Sequence, residues 1–462
     1  MSATSAFVER IKRHVVGENL VRRNPFYYER SRRLLERLSA ADFEERRAWT
    51  RQQLARTLRL ARCTSYGKLV RGSEALGSWP MLNKELLRNR LHAFTTGSDW
   101  FSAPANTGGT KGVPLKLVRS FDGVVFEQAC IDRLVVGLGL CPRTVRTAVL
   151  RGDNLQDPRA LAMPDGVRAN GGRSRIFCAR SVSAQNVNNL ADTLEKFAPQ
   201  LLCAYPNALE SLCRMLAEQG RKLRIPAVLT SSEVLNPVAW DLAQEVLGCR
   251  IADYYGQAER IAFAYASAPR EYRFLPGYSY LEFLPYETKL LPAGASERLY
   301  EVVGTSFWNN LMPLVRYRTG DLIRLPAAWG ERELEELACG LRTFRGILGR
   351  QQEILACPSG VRVTGLESIP DDVEHVLRVQ VVQEQVDSAC IRVVPAPGFS
   401  DSDAASLLRN ARACLPDDVQ LRVEVANWVE RTPRGKAPLV VHRPPVHEAL
   451  RRAGVEPPLV AV

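Results

Sequence analysis

Between Phe101 and Gly256 short apolar runs alternate with helical stretches, and that alternation restricts the fold more than any other feature of the chain. Strand-like runs at 145–150, 201–205, 227–230 and 251–254 are separated by helix-like segments at 186–197 and 208–219. Such alternation builds βαβ units around a mostly parallel sheet. The flanking regions are patterned differently. Residues up to about 92 read as helical, with Asn83 placed to cap 84–91 just after Pro80. From 272 to 325 the helices vanish, and strands at 278–284, 299–303 and 314–317 alternate with turns, as in a small barrel or sandwich. From about 350 onward, strands at 377–383, 390–394 and 421–425 surround helix-like stretches that include 402–413. The expected fold class is α/β: a large N-terminal body of mixed α/β subdomains with a small β-barrel-like region, then a smaller α+β C-terminal domain across a hinge. The expected domains are 1–349 (helical lead-in 1–92, α/β 101–256, β-rich 272–325) and a mobile 350–462.

A chain of 462 residues, 46% hydrophobic and 24% charged, can bury a sizeable core, and at about 100–200 residues per domain it should hold two to four domains. Apolar runs such as 134–140 fall short of the ~18 residues a membrane span requires. Residues 1–20 are basic and helical without an apolar core segment, so no transmembrane segment and a cytoplasmic location are expected. The 11 cysteines are odd in number and contain no Cys-x-x-Cys pair, which argues against a disulfide framework or a zinc ribbon.

Of the net charge of +12, the first 60 residues carry 14 Lys/Arg against 7 Asp/Glu, or +7. A basic arm of this kind can signal nucleic acid. Leu34, Leu35, Leu38, Phe43, Trp49, Leu54, Leu58 and Leu60 recur at mostly helical spacing, however, so the arginines read as solvated faces of amphipathic helices. No recognised nucleic-acid module accompanies them, and no nucleic-acid partner is expected.

Five segments carry candidate chemistry. In Thr107-Gly108-Gly109-Thr110-Lys111-Gly112-Val113-Pro114, glycines let the backbone approach an anion while amides, hydroxyls and an ammonium supply donors. The same residues would also make an ordinary Gly/Pro turn. They are not a Walker A loop, because the lysine precedes the glycine and a strand-like run follows Pro114. Asp253-Tyr254-Tyr255-Gly256-Gln257-Ala258-Glu259 ends a strand, where tyrosine faces suit a purine and Glu259 suits Mg²⁺, although both tyrosines could instead be core. Tyr317-Arg318-Thr319-Gly320-Asp321 presents a carboxylate that can accept ribose hydroxyls or satisfy its own turn. Leu348-Gly349-Arg350-Gln351-Gln352-Glu353 is a hinge or a surface turn. Thr432-Pro433-Arg434-Gly435-Lys436-Ala437 is a basic loop whose lysine could meet a developing phosphoryl charge or simply be solvated.

Taken in order and at these separations, the five segments resemble those of the adenylate-forming acyl- and aryl-CoA ligase superfamily, in particular its phenylacetate-CoA ligase and CapK-type branch. Ala204-Tyr205-Pro206-Asn207-Ala208, Thr230-Ser231-Ser232-Glu233 and Thr305-Ser306-Phe307-Trp308-Asn309-Asn310 fit the same branch. The resemblance covers nearly the whole chain. It implies that 1–349 is an adenylation body, that ATP and a carboxylic acid give acyl-AMP and pyrophosphate, and that CoA then takes the acyl group. A carrier protein or an amine as acceptor, or a nucleotide-binding homologue without turnover, stays open.

Residue by residue, the resemblance implies that Thr107, Gly108, Gly109, Thr110, Lys111 and Gly112 hold the β and γ phosphates. Ser231, Ser232 and Glu233 with Asp253, Tyr254, Tyr255 and Gly256 would line the adenine and α-phosphate site. Glu259 would bind Mg²⁺, Asp321 the ribose hydroxyls, Arg350 the ribose from the hinge, and Lys436 would bridge carboxylate and phosphate. Departures from the family pattern are Lys111 for a hydroxyl residue, Val113 for a lysine, Ala258 for Ser/Thr and Glu353 for aspartate. Many members carry a Cys/His zinc site after Tyr-Gly-x-x-Glu. Residues 262–274 hold neither residue type, so no structural zinc is expected. The acid pocket is expected around 124–130, Tyr205 and Leu229, and the protein is expected to be a monomer or homodimer.

Overall fold

The computed structural model describes residues 21–72, 74–97, 102–106, 115–151, 166–179, 182–183, 185–286, 296–350, 355–358, 362–363, 366, 369–432 and 436–452. The candidate loop residues Thr107, Gly108, Gly109, Thr110, Lys111 and Gly112 lie outside them, as do Val113 and Glu353.

Helix α1 (Pro25–Ala40) starts with proline at its first position and Asn24 accepting the Phe26 N–H. Helix α2 (Phe43–Ala61) is capped by Asp42, which accepts the Glu45 N–H, and Glu44 and Glu45 complement the positive end of the dipole. Leu35, Leu38, Leu58 and Ala61 are buried. The expectation that these arginines are all solvated fails at Arg46 and Arg23. Arg46 is buried and donates to the carbonyls of Ala41, Ser39 and Cys339, tying the lead-in to the β-rich region. Arg23 grips the buried Asp132 at 2.6 and 2.7 Å. Replacing Arg46 by methionine leaves three carbonyls without their donor, and chemical unfolding should show a loss of about 3 kcal/mol.

Helix α3 (Lys84–Asn89) begins at Asn83, whose Oδ1 accepts the Leu86 N–H. It ends two residues before the predicted 91 because Arg90 leaves helical geometry (φ −137°) and a tighter turn follows. Strands β1 (Ala103–Asn106) and β2 (Lys116–Arg119) form an antiparallel pair on either side of the glycine-rich segment. Helix α4 (Phe121–Gly137) follows, with Ser120 as its cap.

The alternating region then runs through β3 (Thr147–Leu150), β4 (Val167–Ala169), β5 (Ser174–Phe177), α5 (Val187–Phe197), β6 (Leu201–Ala204), α6 (Pro206–Glu218), β7 (Ala227–Ser231), α7 (Pro237–Leu247), β8 (Arg250–Gly256), β9 (Phe263–Ala266) and β10 (Arg273–Phe274). These strands make one eight-stranded sheet in the order β10-β9-β8-β7-β6-β3-β5-β4. Its centre, β5-β3-β6-β7-β8, is parallel, and antiparallel strands flank it. All five residues of β7 are buried, as expected of a parallel strand covered on both faces. From β3 the chain moves outward to β5 on one side, then crosses to β6 on the other. The strand order therefore reverses between β3 and β6. At such a switch point, the crevice at the carboxyl ends of the strands is the natural place for a ligand.

The β-rich region is an antiparallel sheet of β11 (Ser279–Pro285), β12 (Glu297–Ser306), β13 (Tyr317–Pro326) and β14 (Ile347–Arg350), with α8 (Glu331–Ala338) between the last two strands. The strand predicted at 314–317 is displaced, for β13 begins only at Tyr317. Leu314 and Val315 are buried core residues rather than ladder residues, and Arg316 turns the chain with φ 52° while its guanidinium pairs with Glu282 at 2.9 Å. The apolar signal there reports packing.

The C-terminal segment holds a short pair, β15 (Leu355–Ala356) and β16 (Arg362–Val363), and then β17 (Val376–Gln385), β18 (Ser388–Pro395), α9 (Asp401–Cys414), β19 (Gln420–Val425), β20 (Val440–His442) and α10 (Pro444–Arg452). Its four-stranded sheet, ordered β19-β18-β17-β20, has a core of its own built from Val381, Ile391, Val393, Leu407 and Ala411. Leu377, Val394, Ala396 and Val429 instead join the core of the large sheet, docking this smaller unit on the body.

Candidate nucleotide site at the carboxyl ends of the parallel strands

The reversal of strand order places Arg151, just after β3, and Tyr205, just after β6, side by side. The Arg151 guanidinium lies 5.7 Å from the Tyr205 ring centre, and Lys436 Nζ, brought in by the C-terminal segment, lies at the same distance. Two cations thus converge on one buried aromatic ring at the switch point. Arg151 Nη2 also donates to Ser231 Oγ at 3.0 Å, at the end of β7. Arg151 was not among the sequence candidates. The signal for it was a strand running directly into Arg151-Gly152-Asp153.

Beyond β7 the backbone turns sharply: Ser232 has φ 78°, a left-handed geometry in which a side chain costs energy. The turn sends Glu233 back toward α6. Its carboxylate accepts the Asn207 side-chain amide (2.7 Å), the Asn207 N–H (3.1 Å) and the Ala437 N–H (2.9 Å). Glu233 is therefore bonded to the residue next to Lys436.

On β8, Asp253 is 2% exposed and faces the core, where its carboxylate accepts the Thr230 hydroxyl at 2.6 Å and the Tyr272 hydroxyl. Burial raises its pKa, against the pull of the two hydroxyls. Among the predicted nucleotide-lining residues, Asp253 has a carboxylate taken up by two core hydroxyls, so it acts as a structural group of the sheet. A raised carboxyl pKa means that the fold binds this proton more tightly than the unfolded chain, so stability falls as pH rises through the shifted value. Tyr272→Phe should cost about 1–3 kcal/mol at neutral pH. Unfolding followed at neutral and mildly acidic pH should show a smaller loss in acid, where the protonated carboxyl depends less on its donor.

Tyr254 stacks on Phe263 (5.2 Å between centroids, 9° between planes). Tyr255 points the other way and donates its hydroxyl to Asp321 Oδ2 at 2.6 Å. Asp321 is buried, and Gly320 before it adopts φ 72° while its N–H donates to the buried Glu301 at 3.1 Å. In the ladder between β13 and β14, Asp321 stands directly opposite Arg350. Tyr255 and Asp321 thus come together with the backbone of Arg350 at one edge.

Glu259 accepts the Tyr317 hydroxyl at 3.0 Å. The carbonyl of Ala258, just before it, is held by Arg119 Nη2 at 2.7 Å, so the strand leaving the glycine-rich segment clamps the Tyr-Gly-x-x-Glu turn. Burial, followed by repulsion from Arg260, lowers the Arg119 pKa to about 10. Like Arg151, Arg119 was missed, and no sequence signal separates it from any other strand-end cation. Among the described residues, no three His, Cys, Asp or Glu side chains gather in a metal-holding group. Mg²⁺ often needs only one or two protein carboxylates together with substrate phosphates, a role that a lone Glu259 fits.

The region expected to hold the acid is divided. Val125, Phe126, Ala129 and Cys130 of α4 pack with Leu229 in one cluster, with Phe126 stacked 3.7 Å from Trp308, whereas Tyr205 belongs to the cluster on the other side of the sheet.

No protein-family model matches the chain. It is 21% identical over 274 residues to protein CapK of Staphylococcus aureus, covering 56% of this chain and 57% of that protein. It is 25% identical over 229 residues to phenylacetate-coenzyme A ligase of Pseudomonas putida, covering 47% of this chain and 48% of that enzyme. The matches therefore span about half the length of each curated relative. A crystal structure of 2-hydroxyisobutyryl-CoA ligase in the postadenylation state with R3-HIB-AMP superposes with a TM-score of 0.59 at 15% identity, over 90% of this chain and 93% of that one. The fold is that of the adenylate-forming CoA ligase superfamily, with a large mixed α/β N-terminal unit and a smaller C-terminal one. Within it, the curated relatives lie on the CapK and phenylacetate-CoA ligase side. Among the described residues, no helix is long and apolar enough to cross a membrane.

Proposed function

We propose that the protein activates a carboxylic acid with ATP, forming an acyl-adenylate and pyrophosphate, and then passes the acyl group to the thiol of CoA. The observation that carries this reading is the convergence of Lys436 and Arg151 on Tyr205 at the switch point of the sheet. An ionised carboxylate needs no general base. Its oxygen lone pair forms a bond to the α-phosphorus as the bond to the pyrophosphate oxygen breaks in line, and negative charge grows on the α-phosphate oxygens. Cations already in place at that point stabilise the transition state without reorganising.

In this scheme Lys436 bridges the carboxylate and the α-phosphate, with Arg151 beside it. Residues 107–112 embrace the β and γ phosphates. Tyr254, Tyr255 and Gly256, with Ser231 and Ser232, border the adenine. Asp321 accepts the ribose hydroxyls once Tyr255 yields its hydrogen bond, and Arg350 reaches the ribose from its place opposite. Glu259 would hold Mg²⁺, which when bound would neutralise phosphate charge. In the second step the thiol sulfur bonds to the acyl carbon, the acyl–oxygen bond to AMP breaks, and the thiol proton goes to solvent. CoA is favoured as acceptor by the names of the phenylacetate-CoA and 2-hydroxyisobutyryl-CoA ligases.

Incubation with ATP, Mg²⁺, hydroxylamine and a panel of aryl and aliphatic acids should trap the acyl-adenylate as a hydroxamate for one class of acid. If no acid yields hydroxamate, the proposed activation is wrong. Glu259→Gln should raise the Mg²⁺ concentration needed for half-maximal activity by about tenfold or more, as read from a metal titration of that assay.

A further inference from the structure

Helix α6 carries polar side chains where a core helix should be apolar. Asn207, Glu210, Ser211 and Arg214 fall at i, i+3, i+4 and i+7, which is one face, and none is more than 7% exposed. Three of them bond across to the C-terminal segment, and the fourth holds Glu233. Arg378 Nε donates to Glu210 at 2.5 Å, Arg431 Nη2 to Ser211 Oγ at 2.8 Å, and Arg214 Nη2 to the Asn427 carbonyl at 2.6 Å. Asn207 fixes the Glu233 carboxylate, and that carboxylate accepts the Ala437 N–H. On the far side of Lys436, the Thr432 N–H donates to the Lys436 carbonyl at 2.7 Å and Thr432 Oγ1 accepts the Lys436 N–H at 3.2 Å. Lys436 is thus anchored through its own backbone and through its neighbour.

We infer that Glu233 is a positioning residue. It captures the Ala437 amide and sets Lys436 at the α-phosphate position, and the polar face of α6 is the latch that docks the C-terminal segment in this arrangement. The inference rests on the reading of Lys436 as the adenylating lysine, and it replaces the nucleotide contact expected of Glu233. Two physical points support it. A charge placed even about 1 Å away from the reacting oxygens loses much of its effect, so a lysine supplied by a separate unit needs a fixed stop. The contact is also built to come apart. The pair Glu210–Arg378 lies beside Glu233 and Arg431, and a buried ionic pair repays little more than its own desolvation. Among the described residues, the apolar footprint contributed by the segment is small: Leu377, Val394, Ala396 and Val429, with Ala437 packed against the same core.

The test uses the full-length Glu233→Gln variant, in which an amide donor meets the donors of Asn207 and Ala437. Hydrogen exchange at the Ala437 amide should accelerate by about tenfold or more, with the large-sheet amides unchanged. The turnover number of acid-dependent pyrophosphate exchange should drop by about 10- to 100-fold with the KM for ATP within about threefold, and conversion of supplied acyl-adenylate to acyl-CoA should hold. Arg431→Gln, on the opposite side of the latch, should reproduce this split. A raised KM for ATP with unchanged Ala437 exchange would overturn the inference in favour of a nucleotide contact, and an equal loss in both half-reactions would overturn it in favour of a purely structural role. If the wild type catalyses no exchange, the adenylation reading falls, while the hydrogen-exchange result still decides whether Glu233 holds Ala437.

Discussion

Lys436→Ala should lower the turnover number of acyl-adenylate formation by about 100- to 1,000-fold, the usual loss when one preorganised charge donor leaves a transition state. Binding of ATP, measured by calorimetry, should stay within about threefold, because most of the nucleotide contacts proposed here come from the body. The side chain stands beside Tyr205 and reaches the strand ends only because the C-terminal segment is docked. Acyl transfer from supplied acyl-adenylate should survive the substitution, since that step builds no charge on an attacked phosphate. A loss of ATP affinity as large as the loss of turnover would instead make Lys436 a ground-state nucleotide ligand.

The second large effect is expected at the Glu210–Arg378 pair. Arg378→Ala strands a carboxylate that is 2% exposed, and removing one partner of such a pair typically costs about 3–5 kcal/mol. Undocking can rehydrate Glu210 without unfolding either unit, so the cost should appear as release of the C-terminal segment. Limited proteolysis should cut between the two units far faster than in the wild type, with thermal unfolding of the body little changed. The double variant Glu210→Leu with Arg378→Met removes both charges at similar volume and should restore protection, as apolar replacement of buried pairs often does. If the double variant is as open as the single one, the pair supplies more than charge compensation.

Much of the fold could be read from periodicity. Uninterrupted apolar runs with helices between them leave few alternatives to a parallel sheet, and a cap such as Asn83 marks a helix start by its own chemistry. The errors share a cause. Leu314 and Val315 looked like a strand because burial and pairing give the same apolar signal over three or four residues. Arg46 looked solvated because composition does not show that three carbonyls wait for it.

At the site, motifs identified the turns but not the direction of side chains. Asp253 and Tyr255 sit two apart on β8 and face the same way along the strand, yet Asp253 meets Tyr272 while Tyr255, nearer the strand end, reaches Asp321. Glu233 read as a ligand residue, but its bonds run to Asn207 and Ala437, a relation between segments that no local pattern encodes. The polar stripe of α6 was visible in the spacing of Asn207, Glu210, Ser211 and Arg214. It reads as an outer face until a second unit is found to cover it.

The central claim is tested most directly by acid-dependent exchange of labelled pyrophosphate into ATP by the intact protein with Mg²⁺. Exchange that requires one class of carboxylic acid and disappears in Lys436→Ala is the predicted result. Nucleotide binding without exchange, across aryl and aliphatic acids alike, would contradict it and leave a nucleotide-binding protein without turnover.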